Sequence, residues 1–246
     1  MTLLHQLAAW LQQARQVAVL TGAGVSAESG LATFREAQTG LWAQYSPEDL
    51  ATPEAFRRNP GLVWDWYAWR RQQAAAAQPN PAHLALARLE TLVPQFSLIS
   101  QNVDGLHARA GSRNLIELHG SLRRVRCSVE GTTYQAWDDT TSLPPTCPAC
   151  GAWLRPDVVW FGEALPAAAL TEAWQAAQQC DLFLAIGTSG LVEPAASLPR
   201  VAYAAGAQVA VINLDVTDSR EARVIFLHAR AGACLPELLS ITFPEA

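Results

Sequence analysis

The chain of 246 residues is poor in charged residues and has no long apolar run. Charged residues make up 16 % of it and apolar residues 50 %, which excludes an extended disordered protein, because such proteins combine high charge with low hydrophobicity. Apolar stretches such as Leu182 to Ile186 fall far short of the roughly 18 residues that cross a bilayer. We therefore expect a folded protein without a membrane segment.

Basic residues are too few for a surface that binds polyanions. The net charge is −5, from 22 acidic and 17 basic residues, so we expect no nucleic-acid partner and no membrane surface, since both need a basic patch. The first residues show no secretion signal. Five cysteines, two of them in one Cys-x-x-Cys pair, favour metal or thiol chemistry over a disulfide framework. We expect a cytoplasmic, monomeric enzyme.

Four short apolar runs predict strands buried on both faces, because each run is continuously apolar rather than alternating. These runs are Val17 to Leu20, Phe96 to Ser100, Asp181 to Ile186 and Gln208 to Ile212. Helical patterns lie between them, most of them opening at a proline. They are Leu4 to Arg15, Pro53 to Ala77 (one helix or two), Pro81 to Val93, Pro166 to Gln179 and Pro194 to Ala205. The alternation predicts an α/β fold with a doubly wound parallel sheet.

Two stretches interrupt this alternation. Residues from about 32 to 80 show turns and helices without a clear strand, and residues from about 121 to 157 carry turns, prolines and three cysteines. We interpret both as insertions into a single domain that spans residues 1–246.

Each predicted strand is followed by small or polar residues. They are Gly22, Ala23, Gly24 and Ser26 after the first, Gln101, Asn102 and Asp104 after the second, Gly187, Thr188 and Ser189 after the third, and Asn213 after the fourth. Ligands of open α/β sheets bind outside the carboxyl ends of the strands. We therefore expect these residues to converge on one polar pocket.

The glycine loop between Gly22 and Gly24 would let the backbone approach a pyrophosphate. An ordinary strand-to-helix turn would show the same glycines. Common dinucleotide-binding dehydrogenases place an acidic residue at a second strand end about 20 positions later. That distance falls near Trp42, in a region without strand character, so a common nicotinamide dehydrogenase is disfavoured.

Several motifs in one order carry a family resemblance. They are Gly22 to Arg35, Gln101 to His107, Leu118 to Gly120, Arg155 to Glu163, Gly187 to Ser189, and Asn213. Together they closely resemble the sirtuin family of NAD-dependent protein deacylases, over nearly the whole chain. The resemblance implies a Rossmann-type sheet with an inserted zinc-binding module and a helical module. It implies NAD as co-substrate and acylated protein lysines as partners, with the peptide running as a strand beside Val158 to Glu163.

The resemblance implies His119 and Asn102 as catalytic residues. His119 would be the general base, since histidine titrates near neutrality, and would draw a proton from a ribose hydroxyl; products would be free lysine, nicotinamide and O-acyl-ADP-ribose. A histidine after an apolar run would by itself indicate a core or turn residue, and the motif set reverses that interpretation. The implied NAD contacts are Gly22, Ala23, Gly24, Ser26, Phe34, Arg35, Trp42, Gln101, Asn102, Asp104, Gly187, Thr188, Ser189, Asn213 and Ala231. Where the family has a proline, this chain has Ala32.

Tyr67 and Arg70 lie three residues apart on a predicted helix and therefore share a face. Such a pair can bind a carboxylate, although a solvated arginine would show the same spacing. The pair resembles the Tyr-x-x-Arg signature of class III sirtuins, which remove succinyl and malonyl groups, and Ala51 matches their small pocket residue. Acetyl groups would also fit. The implied substrate contacts are Tyr67, Arg70, Ala51, Val159, Phe161, Gly162 and Glu163.

The family's zinc site has two Cys-x-x-Cys pairs, and here the second cysteine of the first pair is missing. Cys147 and Cys150 form an intact pair, whereas Cys127 is followed three residues later by Glu130. Three thiolates with Glu130, three thiolates with a water, or no metal are all compatible with this pattern, since zinc accepts carboxylate oxygen. We favour one structural zinc ion.

Two other functions fit the same motifs. A protein mono-ADP-ribosyltransferase would use the same cofactor pocket. A non-catalytic NAD-sensing module would also bind the dinucleotide, but it would have no need of His119 as a base or of Asn102 as a clamp.

Overall fold

A computed structural model describes residues 2–31, 44–138, 143–215 and 221–245. Phe34, Arg35 and Trp42, expected at the cofactor, and Ala32 lie outside these residues. Within the described part, no helix has the length and apolar character that a bilayer crossing requires.

The larger sheet has six strands, all parallel to their neighbours. The strands are β1 (Gln16–Thr21), β2 (Gln95–Ser100), β3 (Leu115–Glu117), β7 (Leu182–Ile186), β8 (Gln208–Asn213) and β9 (Val224–His228). Their order, β3-β2-β1-β7-β8-β9, reverses direction between β1 and β7, which is the switch point where doubly wound sheets bind ligands. The four predicted strands are confirmed, while β3 and β9, at the two edges, were not predicted.

The helices of the described residues include those that cover the two faces of this sheet. They are α1 (Leu3–Gln13), α2 (Ala23–Ala27), α3 (Pro47–Leu50), α4 (Pro53–Arg58), α5 (Pro60–Ala76), α6 (Pro81–Leu92), α7 (Leu106–Ala110), α8 (Ala167–Gln179), α9 (Leu198–Ala204, after a 3-10 turn at Ala195–Ser197) and α10 (Ala231–Thr242). Alternate residues of β1 face opposite sides: Val17 and Val19 pack with α1, α6 and α10, and Ala18 and Leu20 pack with α8 and α9.

The predicted segment Pro53 to Ala77 is two helices. Asn59 separates them: its side chain accepts a hydrogen bond from the Leu62 N–H at 3.1 Å and so caps α5. Pro60 follows as the first residue of α5, a position where the missing N–H costs no helical hydrogen bond.

A second, antiparallel sheet lies in the segment that interrupts the α/β alternation. It contains β4 (Gly120–Cys127), β5 (Thr133–Tyr134) and β6 (Leu154–Val158) in the order β5-β4-β6. Trp64 of α5 packs against Val125, Cys127 and Leu154 of this sheet. The limits of the two insertions, at about 32–80 and 121–157, stay predictions.

Candidate active site

The loop after β1 is fixed to the loop after β7 by backbone contacts. The Gly22 N–H donates to the Ile186 carbonyl at 3.1 Å, and the Gly24 N–H donates to the Gly187 carbonyl at 2.9 Å. A Cβ at Gly22 would lie 2.8 Å from the Gly187 oxygen, so this approach requires glycine. The glycines therefore bring the start of α2, which begins at Ala23, to the switch point of the sheet.

Asn102, Ser26 and Asp104 form one hydrogen-bonded cluster beside that loop. The Asn102 amide donates to the Gly22 carbonyl at 3.0 Å and to the Ser26 hydroxyl at 3.1 Å. The Ser26 hydroxyl donates in turn to an Asp104 carboxylate oxygen at 2.7 Å. Both N–H groups of the Asn102 amide are used by the protein, so its side chain can bind a further group only through its oxygen, as an acceptor.

Gln101, Thr188 and Asn213 join the ends of β2, β7 and β8. The Gln101 amide donates to the Thr188 hydroxyl at 2.8 Å, and the Asn213 amide donates to the Thr188 carbonyl at 2.9 Å. Ser189 is exposed next to them. The expected convergence of strand ends on one polar edge is thus present in the structure.

Ala231 is buried at the start of α10. The next N–H, of Gly232, donates to the Glu28 carboxylate at 2.9 Å, which ties α10 to the segment that follows α2. The expected cofactor residues that the structure describes therefore belong to connected elements at one edge of the large sheet.

His119 lies between β3 and β4, and its ring is held in one tautomer. Nδ1 lies 2.9 Å from the Gln101 carbonyl oxygen; since a carbonyl only accepts, Nδ1 carries the proton and Nε2 keeps its lone pair. Burial lowers the pKa of His119 below its usual 6.5, partly offset by this hydrogen bond. The ring is therefore neutral at pH 7 and able to accept a proton at Nε2.

Gly120 lets the chain turn from His119 into β4. Its φ is +78°, and any Cβ there would collide with the Asp157 carbonyl. The His119 carbonyl accepts from the Val159 N–H at 2.9 Å. His119 is therefore joined by its backbone to the segment that the sequence assigns to peptide binding.

Tyr67, Ala51 and Trp160 belong to one buried cluster, which also contains Val158. Tyr67 and Trp160 are each 2 % exposed and Ala51 3 %. Val103 packs against this cluster, so it borders the Asn102–Asp104 segment. The Arg70 guanidinium carbon lies 5.7 Å from the centre of the Tyr67 ring. The structure thus places Tyr67 and Ala51 in one cluster, with Arg70 beside Tyr67.

Glu163 is engaged within the protein. Arg155 donates to its two carboxylate oxygens at 2.6 and 2.8 Å, and the Trp160 N–H donates to one of them at 2.9 Å. Burial alone would raise the pKa of Glu163, but these hydrogen bonds and Arg126 hold it below its usual range. This carboxylate fixes the loop in which Val159 and Gly162 lie and in which Phe161 is 53 % exposed. Its direct contact with substrate stays a prediction.

Trp160 and Arg155 were not singled out from the sequence as site residues. The Arg155 guanidinium carbon lies 3.3 Å from the centre of the Trp160 ring, and Arg155 is 6 % exposed. Both lie inside the motif Arg155 to Glu163, which is the one signal that could have found them.

His107 and His83 form a second, buried histidine pair, with ring centres 4.7 Å apart. His107 Nε2 lies 2.9 Å from the Thr21 hydroxyl, and burial lowers the pKa of His107 to about 3. His107 is therefore neutral, and its contact with Thr21 of β1 indicates a structural role.

Cys127, Glu130, Cys147 and Cys150 form a potential metal site, because their ligand atoms all lie within 4.8 Å of one another. Two sulfur ligands of a tetrahedral zinc ion lie about 3.8 Å apart, given Zn–S distances of about 2.3 Å, and the Cys127 and Cys150 sulfurs lie 3.5 Å apart. The Tyr134 hydroxyl, 3.2 Å from the Cys147 sulfur, lowers the pKa of Cys147 to about 7, which favours the thiolate that zinc binds. The four residues fit one structural zinc ion.

We expect purified protein to contain about one zinc ion per chain, and chelation to lower its Tm by about 5 °C or more, because metal binding adds to folding stability. Metal analysis and thermal melts measure both. Cys147→Ser should lose the metal and the chelator response. Cys234→Ala, a buried cysteine outside the cluster, is the matched control and should keep both. A metal-free native protein that melts identically with and without chelator would contradict the site.

The fold and the site define an α/β enzyme of the dinucleotide-binding class, with a small cysteine-bearing sheet beside its site. A family model described as "Sir2 family" matches residues 22–194. The chain is 51 % identical over 242 residues to NAD-dependent protein deacylase 1 of Pseudomonas aeruginosa, covering 95 % of this chain and 97 % of that protein. It is 53 % identical over 202 residues to the NAD-dependent protein deacylase of Aquifex aeolicus, covering 82 % and 84 % of the two chains.

Solved structures give the same result. A complex of a Sir2 homologue with NAD superposes with a TM-score of 0.88 at 45 % identity, covering 96 % of this chain and 93 % of the other. A Sir2 protein bound to acetylated peptide gives a TM-score of 0.86 at 29 % identity, covering 98 % of each chain. The chain belongs to the Sir2 family, the sirtuins, and is an NAD-dependent protein deacylase of that family.

Proposed function

We propose that this sirtuin removes succinyl and malonyl groups from protein lysines, and acetyl groups as well. The observation that carries the proposal is that Tyr67 shares a buried cluster with Ala51 and that the half-buried Arg70 lies beside the Tyr67 ring. A guanidinium and a hydroxyl together can bind the distal carboxylate of an acidic acyl group. Ala51, whose methyl group is the smallest side chain with a Cβ, leaves room for a longer acyl chain.

The electrostatics of the pocket support this choice. Tyr67 and Trp160 are almost fully buried, and a carboxylate that enters such surroundings needs a charged hydrogen-bond partner to offset its lost hydration. Arg70 lies at the border of the pocket with its charge beside the Tyr67 ring. An acetyl group has no carboxylate and needs neither residue.

In this proposal Asn102 and His119 have different roles: one orients the cofactor and the other accepts a proton. Asn102, its amide nitrogen held by Gly22 and Ser26, orients the cofactor through its side-chain oxygen. His119, neutral and with Nε2 free to accept, takes a proton from a ribose hydroxyl. When bound, NAD supplies the ribose carbon that accepts the acyl oxygen as nicotinamide leaves. One water molecule is consumed, and the products are nicotinamide, O-acyl-ADP-ribose and free lysine.

We propose that the remaining expected residues bind the two substrates. Gly22, Gly24, Gln101, Thr188 and Asn213 would line the NAD edge of the sheet. The peptide would add as a strand beside Val158 to Glu163. That a similar solved structure is a Sir2 protein bound to acetylated peptide supports a peptide substrate.

A peptide panel tests the proposal. Acetyl-, malonyl- and succinyl-lysine versions of one peptide are incubated with the enzyme, with and without NAD, and the masses of the products are measured by mass spectrometry. We expect loss of the acyl mass from all three, only with NAD, with one nicotinamide released for each acyl group. Removal of acetyl alone would contradict the acidic-acyl assignment, and gain of an ADP-ribose mass on the peptide would favour the ADP-ribosyltransferase.

A further inference from the structure

Trp160 is held in one orientation by contacts on several sides. Its ring centre lies 3.3 Å from the Arg155 guanidinium carbon and 5.4 Å from the centre of the Phe56 ring. Its backbone N–H donates to Glu163. Its indole Nε1 donates to the Tyr67 hydroxyl oxygen at 3.0 Å. The indole N–H is therefore aimed at Tyr67 by the packing of the whole loop.

The contact between Trp160 and Tyr67 determines whether the Tyr67 hydroxyl donates a hydrogen bond or accepts one. An indole N–H only donates, so the Tyr67 oxygen is the acceptor. The Arg70 guanidinium carbon lies 5.7 Å from the centre of the Tyr67 ring, and a guanidinium likewise can only donate. Burial raises the pKa of Tyr67, with both partners opposing the rise, so the hydroxyl keeps its proton at working pH. The indole N–H occupies an acceptor position of the oxygen, and neither Trp160 nor Arg70 can accept the Tyr67 proton, so that proton must go to another group.

In the part of the chain that the structure describes, Tyr67 has no side-chain or backbone acceptor for that proton. A carboxylate in the acyl pocket would be such an acceptor, because an ionised carboxylate only accepts. The methyl group of an acetyl-lysine cannot accept a hydrogen bond.

We propose that Trp160 is a specificity-determining positioning residue, which makes Tyr67 a donor to the distal carboxylate of an acidic acyl group by occupying the acceptor side of its hydroxyl. The inference rests on the proposed removal of succinyl and malonyl groups. Trp160 acts through Tyr67 and selects among acyl groups, while its effect on the chemistry at the ribose is small.

The test compares succinyl and acetyl versions of one peptide with Trp160→Phe, which keeps an apolar ring and removes the N–H. We expect the succinyl-to-acetyl ratio of kcat/KM to fall about tenfold, the scale of one hydrogen bond to a charged group, and the fall to appear in KM for the succinyl peptide. Trp160→Leu also lacks the N–H and gives the same ratio test if the Phe variant folds poorly. Trp174→Phe, at a tryptophan of α8 that packs in a different core cluster from Tyr67 and Trp160, is the matched control and should leave the ratio unchanged.

A double-mutant cycle separates positioning from packing. Tyr67→Phe should lower the ratio by a similar factor, and Trp160→Phe combined with Tyr67→Phe should lower it no further, because both changes remove one interaction. Equal losses on the two peptides, or two losses that multiply in the double variant, would overturn the role of Trp160.

The outcome also separates this inference from the proposed function. A parent enzyme that fails on the succinyl peptide but removes acetyl overturns both. A parent enzyme that removes succinyl, and loses that activity selectively in Arg70→Met but not in Trp160→Phe, overturns the role of Trp160 alone.

Discussion

His119→Asn is expected to lower kcat/KM for acetyl and succinyl peptides alike by at least about a hundredfold, the low end of what general-base catalysis supplies. An asparagine amide can still donate to the Gln101 carbonyl, which His119 Nδ1 contacts at 2.9 Å, so the local backbone should keep its course. The variant lacks the basic nitrogen at Nε2. Steady-state release of nicotinamide measures the loss.

The same variant should still bind NAD, since the Gln101–Thr188 and Asn102–Gly22 hydrogen bonds do not involve the imidazole. Titration of the variant with NAD, followed by calorimetry, measures this. His5→Asn, at an exposed histidine in α1, is the matched control and should keep full activity. A His119→Asn enzyme that turns over at the parent rate would remove the histidine from the mechanism.

The pH profile of the parent enzyme belongs to the same prediction. Burial lowers the pKa of His119 from 6.5, so the imidazole is neutral and competent above that value. As the pH falls through the lowered pKa, the ring takes up a proton and can no longer act as a base. We therefore expect kcat/KM to fall on an acid limb below pH 6.5, and this limb to be absent from the residual activity of His119→Asn.

The interior of the fold could be predicted from the sequence because its strands are continuously apolar. β1, β2, β7 and β8 are enclosed on both faces, and their polar ends had to meet once the strands were parallel. β3 has three residues, too few to give a pattern. β9 lies at the sheet edge with a half-buried pattern, and its pairing with β8 depends on tertiary contacts.

The site was predictable where it follows strand ends and not where it depends on packing between distant segments. The proximity of Ser26 and Asp104 follows from the expected convergence of strand ends, because these residues come after the neighbouring strands β1 and β2, whereas His119 was indicated by the family resemblance. The Trp160–Tyr67 hydrogen bond joins residues 93 apart in the chain, on a helix and on a loop of the small sheet. No local pattern specifies that contact, since it depends on how α5 packs against β4 and β6.

Arg70→Met is expected to lower kcat/KM for the succinyl peptide about thirtyfold or more and to change the acetyl peptide by less than about threefold, since hydrogen bonds to charged groups contribute about 1.5–3 kcal/mol. Methionine keeps the length and apolar stem of arginine and removes the charge and the fork. Paired kinetics on the two peptides measure the effect, mainly as a higher KM for the succinyl substrate.

Two further variants establish what in Arg70 matters. Arg70→Lys keeps the charge but not the bidentate fork. Its kcat/KM for the succinyl peptide should therefore lie between the values of the parent enzyme and of Arg70→Met. Arg57→Met removes an exposed arginine of α4 that pairs with Glu54 and should leave kcat/KM unchanged for both peptides. Because an acetyl group carries no charge, any factor that Arg70→Met takes from both substrates equally reflects damage to α5 or its cluster. Only the additional loss of kcat/KM on the succinyl peptide measures recognition of the carboxylate. If the losses on the two peptides were equal, Arg70 would have no role in recognising the acyl group.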